Sequence, residues 1–441
     1  MKRIVFLLAI LVAFGATTFA QKSGIEFIEY DLDNGLHVIL HQDNTTPIVA
    51  VSVMYHVGSK NEDPERTGFA HFFEHLLFEG SENIKRGEFD NYIENAGGRN
   101  NANTSNDRTF YYEIMPSNHL GTGLWLESER MLHAKVEQVG IETQRQVVKE
   151  ERRLRVDNRP YGRVVEEVMK RAFKEHPYQW PVIGSMDHLD AATESDYVNF
   201  YKTFYVPNNA VLSIAGDINM EETKKEVEKY FGSIPRGTTE IYRPDIVEPE
   251  QMAEIIDTVY DAVQLPGVIQ CYRIPAQGTD DYYAVSMLST LLSDGESSRL
   301  YKSLVDEQQK AVFVGNFPFA LEDPGVSLAF GIANMGVSEK DLADAMNAEI
   351  AKVQKELIAE REFQKLRNKV ESDFVTANAS VVGVAESLAD YHMYYGNANL
   401  INTELERYMK VTPADIQRVA KKYFSAKNRI TLYWLPKVDT P

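Results

Sequence analysis

The stretch TESDYVNFYKTFYVPNNAVLSI, beginning at Thr193, returns 219 residues later without a gap as TPADIQRVAKKYFSAKNRITLY, beginning at Thr412. Thr193 aligns with Thr412, Asp196 with Asp415 and Asn209 with Asn428, and the aromatic pair Phe204-Tyr205 falls over Tyr423-Phe424. Each copy reads as a helix opened by a Thr-x-x-Asp cap, then a turn at the Asn, then a strand of branched apolar residues. A unit used twice makes the 441-residue chain a pair of related halves, a division its length also favours.

The boundary falls in GSIPRGTTEIYRPDIVEPEQ, where Pro235, Pro244 and Pro249 interrupt the periodic pattern. The expected layout is a first domain over 25–235, a linker over 236–249 and a homologous second domain over 250–436. In the first half LHVILHQ and PIVAVSVMYHV read as strands, residues 66–79 as a helix, and GGRNNANTS with RTFYYEIMP as a hairpin turned at Asn106-Asp107. Hairpin strands beside grouped helices predict an α+β fold, each domain a mostly antiparallel sheet with helices packed on it.

Lys2 and Arg3 precede an apolar run from Ile4 to Phe14 and small residues ending at Ala20. This reads as a secretory signal over residues 1–20, too short to span a bilayer. No later segment is long and apolar enough for a membrane helix, so no membrane anchor is expected and the protein is expected in the periplasm or secreted. Cys271 is the single cysteine, which leaves neither a lipid-anchor cysteine at the cleavage point nor an internal disulfide; it reads as a small apolar strand residue. A net charge of −19 argues against nucleic acid as a partner.

Within GFAHFFEHLLFEG, His71 and His75 stand four apart with Glu74 between them. On a helix residues four apart share a face, so both imidazoles can reach one ion, and Glu74 can reach a water on it. The alternative is a core helix with satisfied histidines, since Ala70, Phe72, Phe73, Leu76, Leu77 and Phe78 all read as core. A catalytic zinc with two histidines needs a third protein ligand and an open position. The acidic candidates are Glu150 and Glu151, in the charged helix IETQRQVVKEERRLR. They point about 100° apart, so only one can face an ion.

His71, Glu74 and His75, with Val147-Val148-Lys149-Glu150-Glu151 downstream, resemble the inverted zinc motif of the pitrilysin family, also called the insulinase or mitochondrial processing peptidase family. The likeness extends through HPYQWPVIGS at 176–185 and FYVPNNAVLSIAGD at 204–217. It implies one Zn²⁺ per chain held by His71, His75 and, from the family's register, Glu151. It also implies Glu74 as the catalytic base of a metalloendopeptidase. Asn101, Ala102, Asn103 and Thr104 are similar to the family's edge strand, which pairs with an extended peptide substrate; broad cleavage of unfolded peptides is expected.

Two departures from the family stand out. Val305 and Val312 occupy the places where relatives carry an Arg and a Tyr that grip the substrate, and valine can do neither job. Arg299 and Tyr301 lie nearby on the wrong spacing. A paralogous partner carrying the Arg and Tyr, or a homodimer, is therefore expected. Gln144 replaces a glutamate frequent in relatives and is a candidate for orienting the ligands from behind. The competing reading is a non-catalytic assembly or binding subunit of the same fold. His37, His41, His56, His119, His133, His176, His188 and His392 show no paired spacing and read as structural.

Overall fold

The computed structural model describes residues 24–437; the expected export signal, residues 1–20, lies outside them. Two sheets form. The first runs in the order β1-β2-β6-β3-β5-β4, from β1 (Ile28–Asp31), β2 (His37–Gln42), β3 (Ile48–Tyr55), β4 (Arg99–Thr104), β5 (Thr109–Pro116) and β6 (Ala210–Gly216). The second runs β7-β11-β8-β10-β9, from β7 (Ile255–Asp261), β8 (Gly267–Arg273), β9 (Ala311–Phe319), β10 (Val326–Ala333) and β11 (Arg429–Pro436).

Apart from β1, which pairs only with β2 and has no counterpart, the pairings of the two sheets match. Each is antiparallel except where the returning strand lies parallel to one neighbour, β6 along β2 and β11 along β7. The antiparallel series β6-β3-β5-β4 then has its counterpart in β11-β8-β10-β9. The fold is thus α+β with two homologous domains, as expected from the repeat.

The repeated residues perform repeated work. Thr193 and Asp196 close a capping box on the helix Glu194–Phe204, and Thr412 and Asp415 close the same box on Pro413–Tyr423. At the following turn Asn209 donates to the Phe204 carbonyl at 2.8 Å and to the His56 carbonyl at 3.4 Å. Asn428 donates to the Tyr423 carbonyl at 2.7 Å and to the Arg273 carbonyl at 2.9 Å. Each amide therefore ties the end of a helix to the end of the strand that neighbours β6 or β11, satisfying carbonyls that a helix end leaves free.

The halves also exchange helices. Val164–Ala172, from the first half, buries Val164, Val168, Met169 and Ala172 in a core shared with Ile269, Cys271, Leu328 and Trp434 of the second sheet. Val381–Tyr395, from the second half, buries Val384, Ala385, Leu388 and Ala389 against Ile39, Ala50, Met54 and Val211 of the first. Each fully buried valine, leucine or methionine among them is worth about 1.5–3 kcal/mol, so the reciprocal cover binds the halves together. Between Phe231 and Ile255 there is neither helix nor strand, yet the segment is strapped down. The Glu248 carboxylate accepts from the backbone N–H groups of Lys174, Glu175 and His176.

Candidate metal centre

The helix expected over 66–79 runs from Phe69 to Leu76. Its shortening has local causes. Gly68 opens it in the left-handed region, at φ +94°. A side chain there would meet the Ile183 carbonyl oxygen at 2.8 Å, so no other residue enters this turn without strain. The Glu62 carboxylate accepts from the N–H groups of Gly68 and Ala70 at 2.8 and 2.9 Å, satisfying donors that the helix start leaves free. At the far end buried Arg130 donates to the Leu77 carbonyl at 3.1 Å.

Phe69, Phe72, Phe73 and Leu76 form the buried face of this helix, and its three phenylalanine rings pack against Tyr197, Phe200 and Tyr205. The opposite face then carries His71, Glu74 and His75, as the 3.6-residue period requires. Tyr111 of β5 donates to the Phe73 carbonyl at 2.8 Å, which pins the helix over the sheet.

Glu151, in the last turn of the helix Gln138–Arg152, meets this face. Its Oε2 lies 3.4 Å from His71 Nε2 and 3.1 Å from His75 Nε2. Neither approach has hydrogen-bond alignment, and Glu151 Oε2 and His71 Nδ1 are buried polar atoms without a partner. Around a tetrahedral zinc with bonds of about 2.0–2.2 Å, ligand atoms stand roughly 3.3–3.5 Å apart. The two carboxylate–imidazole separations are close to that spacing and all three atoms lie within 4.8 Å of one another, so the residues fit a zinc-type ion. Glu150 turns away: its side chain is 55% exposed and pairs with Arg153 at 3.0 Å.

The protonation states agree with that use. Burial, reinforced by the facing His75 ring, pushes His71 down to about 4 against the opposite pull of Glu151, so the imidazole is neutral and offers a lone pair. The His75 ring facing Glu151 is the main influence holding that carboxyl below the ordinary carboxylate range, and burial opposes it. Burial holds the Glu74 carboxyl above its ordinary range, against the Thr104 hydroxyl and the His75 ring. A carboxylate raised in this way is a better proton acceptor near neutrality.

Thr104 donates to Glu74 Oε2 at 2.6 Å. This links the motif helix to β4, the edge strand of the first sheet. Asn101 and Asn103 are exposed there and Ala102 is buried. β5 pairs with one side of β4, and among the described residues no strand pairs with the other. Asn103 accepts from Arg108.

Gln144 lies on the same helix as Glu151 but donates to Glu79, which in turn pairs with Arg86; its hydrogen bond goes to the end of the motif helix and to none of the three histidine or glutamate groups. Val305 packs against the second domain's core, and Val312 is 50% exposed on the edge strand β9. Arg299 is engaged by Glu362 at 2.9 and 2.6 Å.

The residues that hold the motif helix escaped the sequence reading. Glu62 is one of them, and Arg130 is another. Arg130 is fully buried, pairs with Glu127 and Glu113, and lies 4.2–4.5 Å from the rings of Tyr111, Phe89 and Phe78. The one trace of it in sequence is the charged triplet Glu127, Glu129, Arg130 inside an otherwise apolar helix, Leu120–Leu132.

Comparison with known proteins adds to this geometry. Residues 37–185 match the domain described as Insulinase (Peptidase family M16), and residues 191–370 match the Peptidase M16 inactive domain. The zinc protease PqqE of Helicobacter pylori is 33% identical over 430 residues, 97% of this chain and 97% of that one. A crystal structure of a protease from Helicobacter pylori superposes with a TM-score of 0.89 at 31% identity, over 93% of this chain and 100% of the other. The periplasmic protease PqqL from Escherichia coli shares the fold, with a TM-score of 0.76 at 18% identity; 93% of this chain lies on 47% of that one.

Proposed function

Because the chain belongs to the insulinase family, peptidase family M16, we propose that it is a zinc metalloendopeptidase cleaving extended or unfolded peptides. The observation that carries this reading is the meeting of His71, His75 and Glu151 from two helices, their ligand atoms all within 4.8 Å of one another, beside a half-buried Glu74. A binding or assembly subunit has no use for a carboxylate raised in proton affinity at that place.

His71 Nε2, His75 Nε2 and one Glu151 oxygen would hold the ion. Zinc supplies a Lewis acid that polarises the scissile carbonyl and makes a water acidic near pH 7. Glu74 takes the proton of the attacking water and returns it to the leaving nitrogen. Its Oε2 is engaged by Thr104, so Oε1 is the oxygen offered to that proton. The free side of β4, at Asn101–Thr104, takes the substrate backbone as an added strand, which sets the peptide's register relative to Glu74 without demanding one sequence.

Val305 and Val312 supply no donor for the substrate's second half. The reading therefore includes a second chain, a paralogue or another copy, that provides the Arg and Tyr. The recurrence of this fold in half of a longer chain supports a working unit of two such bodies. The leader pattern of residues 1–20 supports export to the periplasm.

The test is hydrolysis of a quenched, unstructured peptide by the purified mature chain, with and without chelator and over a dilution series. Chelator-sensitive turnover supports the peptidase. A specific rate that falls on dilution, or appears only with a paralogue added, supports the split grip; a rate per chain independent of concentration in a monomer removes it.

A further inference from the structure

β4, the strand offered to an extended peptide, ends in a turn that the second half holds from two sides. Asp107 in that turn is buried. Its Oδ1 accepts from the Tyr178 hydroxyl at 2.6 Å and pairs with Lys60 Nζ at 3.0 Å. Its Oδ2 accepts from the backbone N–H of Glu322, in the turn between β9 and β10, at 3.0 Å. The Glu322 and Asp323 carboxylates also pair with Lys60, so the two turns share one buried ammonium.

Arg108, the next residue, reaches the other way. Its Nη2 donates to Glu386 Oε1 at 2.6 Å, and its Nε lies 3.1 Å from Asp390 Oδ1. Both carboxylates stand on the helix Val381–Tyr395, four residues apart and therefore on one face. This is the helix that the second half lays across the first sheet. The remaining Nη1 donates to Asn103 Oδ1 at 2.5 Å. A guanidinium fork serves three acceptors in fixed directions, and here it joins the second half's helix to a residue of β4.

Side chains alternate along a strand, so Asn103 and Thr104 leave β4 on opposite faces. Thr104 donates to Glu74 on one face, and Asn103 receives Arg108 on the other. The strand is thereby clamped between the motif helix of the first half and a helix of the second. Closing the turn requires none of this, because the Ser105 N–H already donates to the Arg108 carbonyl at 2.8 Å. Withdrawing a guanidinium from water is unfavourable unless it is fully paired. Arg108 is only 13% exposed, and its two charged partners come from the second half.

We propose that Arg108 is a positioning residue for the peptide: through Asn103 it sets the free edge of β4 relative to Glu74, and it takes its own place from Glu386 and Asp390. The inference rests on the peptidase reading, in which β4 receives the substrate. It gives the second half a direct part in aligning a peptide held by the first. Backbone bonds from β4 to the peptide are made alike in the ground and transition states, so weakening them raises KM and leaves kcat.

The test pairs kinetics of the full chain with binding of a fluorescent, unstructured peptide to zinc-loaded Glu74→Gln protein, which needs no turnover. Arg108→Ala is expected to raise both KM and the peptide Kd by about tenfold or more, the scale of one charge-assisted hydrogen bond, with kcat and zinc content unchanged. Arg108→Lys keeps the charge without the fork and should recover part of the affinity. Glu386→Gln/Asp390→Asn should raise KM and Kd as well and add nothing to Arg108→Ala, since residues acting through one another are not additive. Should Arg108→Ala fold poorly, the Glu386→Gln/Asp390→Asn variant, which keeps the side-chain shapes, carries the comparison. Hydrolysis with KM and Kd indifferent to these changes, or additive effects of the two, would overturn the proposal and leave the peptidase reading standing. Peptide binding that responds to Arg108 in a chain without turnover would uphold the proposal and remove the peptidase reading.

Discussion

The helix after β3, Phe69–Leu76, and the helix after β8, Asp280–Ser293, hold the same station in the two halves and carry different chemistry. Both bury an apolar face against their own domain. In the first, the remaining face presents His71, Glu74 and His75 to Glu151. In the second, Tyr283, Met287, Leu288 and Leu291 are all buried, and the described residues of that half bring no group of three ligands together by themselves. The duplicated fold is thus a scaffold indifferent to the chemistry placed on it, and a handful of side chains separate a candidate catalytic half from a supporting one.

Four tests would break or sharpen that contrast. Glu74→Gln is expected to lower the rate of peptide hydrolysis by about 10²–10⁴-fold, while zinc content and the unfolding transition stay as in wild type. Retained hydrolysis would take the chemistry away from the first half's helix. Next, Glu151→Ala should lose the ion at this centre by elemental analysis and with it the hydrolysis. Its neighbour Glu150→Ala should keep both and shift stability by no more than about 0.5 kcal/mol, because Glu150 faces water and Arg153. Equal effects at the two positions would contradict the geometry.

The third change addresses what the halves share. Asn209→Ala should cost about 1–3 kcal/mol, the range for leaving buried groups unpaired, measured by denaturant titration. Asn428→Ala, whose side chain makes the same two bonds from a half-exposed position, should fall at the low end. The smallest effect belongs to the caps. Thr193→Ala and Thr412→Ala should each cost about 1 kcal/mol, and a clear inequality would show that the two copies of the box no longer carry equal weight.

Those paired residues were also the most legible part of the chain. Thr193 and Thr412, Asp196 and Asp415, Asn209 and Asn428 announced a duplicated unit because capping boxes and turn amides act within a few residues of themselves. The β4–β5 hairpin was legible for the same reason, with its turn closed by Ser105 and Arg108. The ends of the motif helix were not, since they depend on Glu62, Gly68 against Ile183, and Arg130, groups brought together from distant places. The exchange of Val164–Ala172 for Val381–Tyr395 was equally hidden, because an apolar helix face does not say which sheet will cover it.

The histidines make the same point within one residue type. His71 and His75 stand four apart, one helical turn, so periodicity alone puts them on one face. His37 and His392 are separated by most of the chain, and the sequence reading treated both as structural. By itself the sequence determined the two related halves, the local caps and turns, the family, and the face that carries His71, Glu74 and His75. Spacing left Glu150 and Glu151 equal and the family's register favoured Glu151, whereas tertiary structure alone decided that Glu62 and Arg130 hold the motif helix at its ends and that Glu29, His37 and His392 meet. Short-range spacing is written in the helical and strand periods, whereas a meeting between distant segments depends on how sheets and helices pack, which no local pattern encodes.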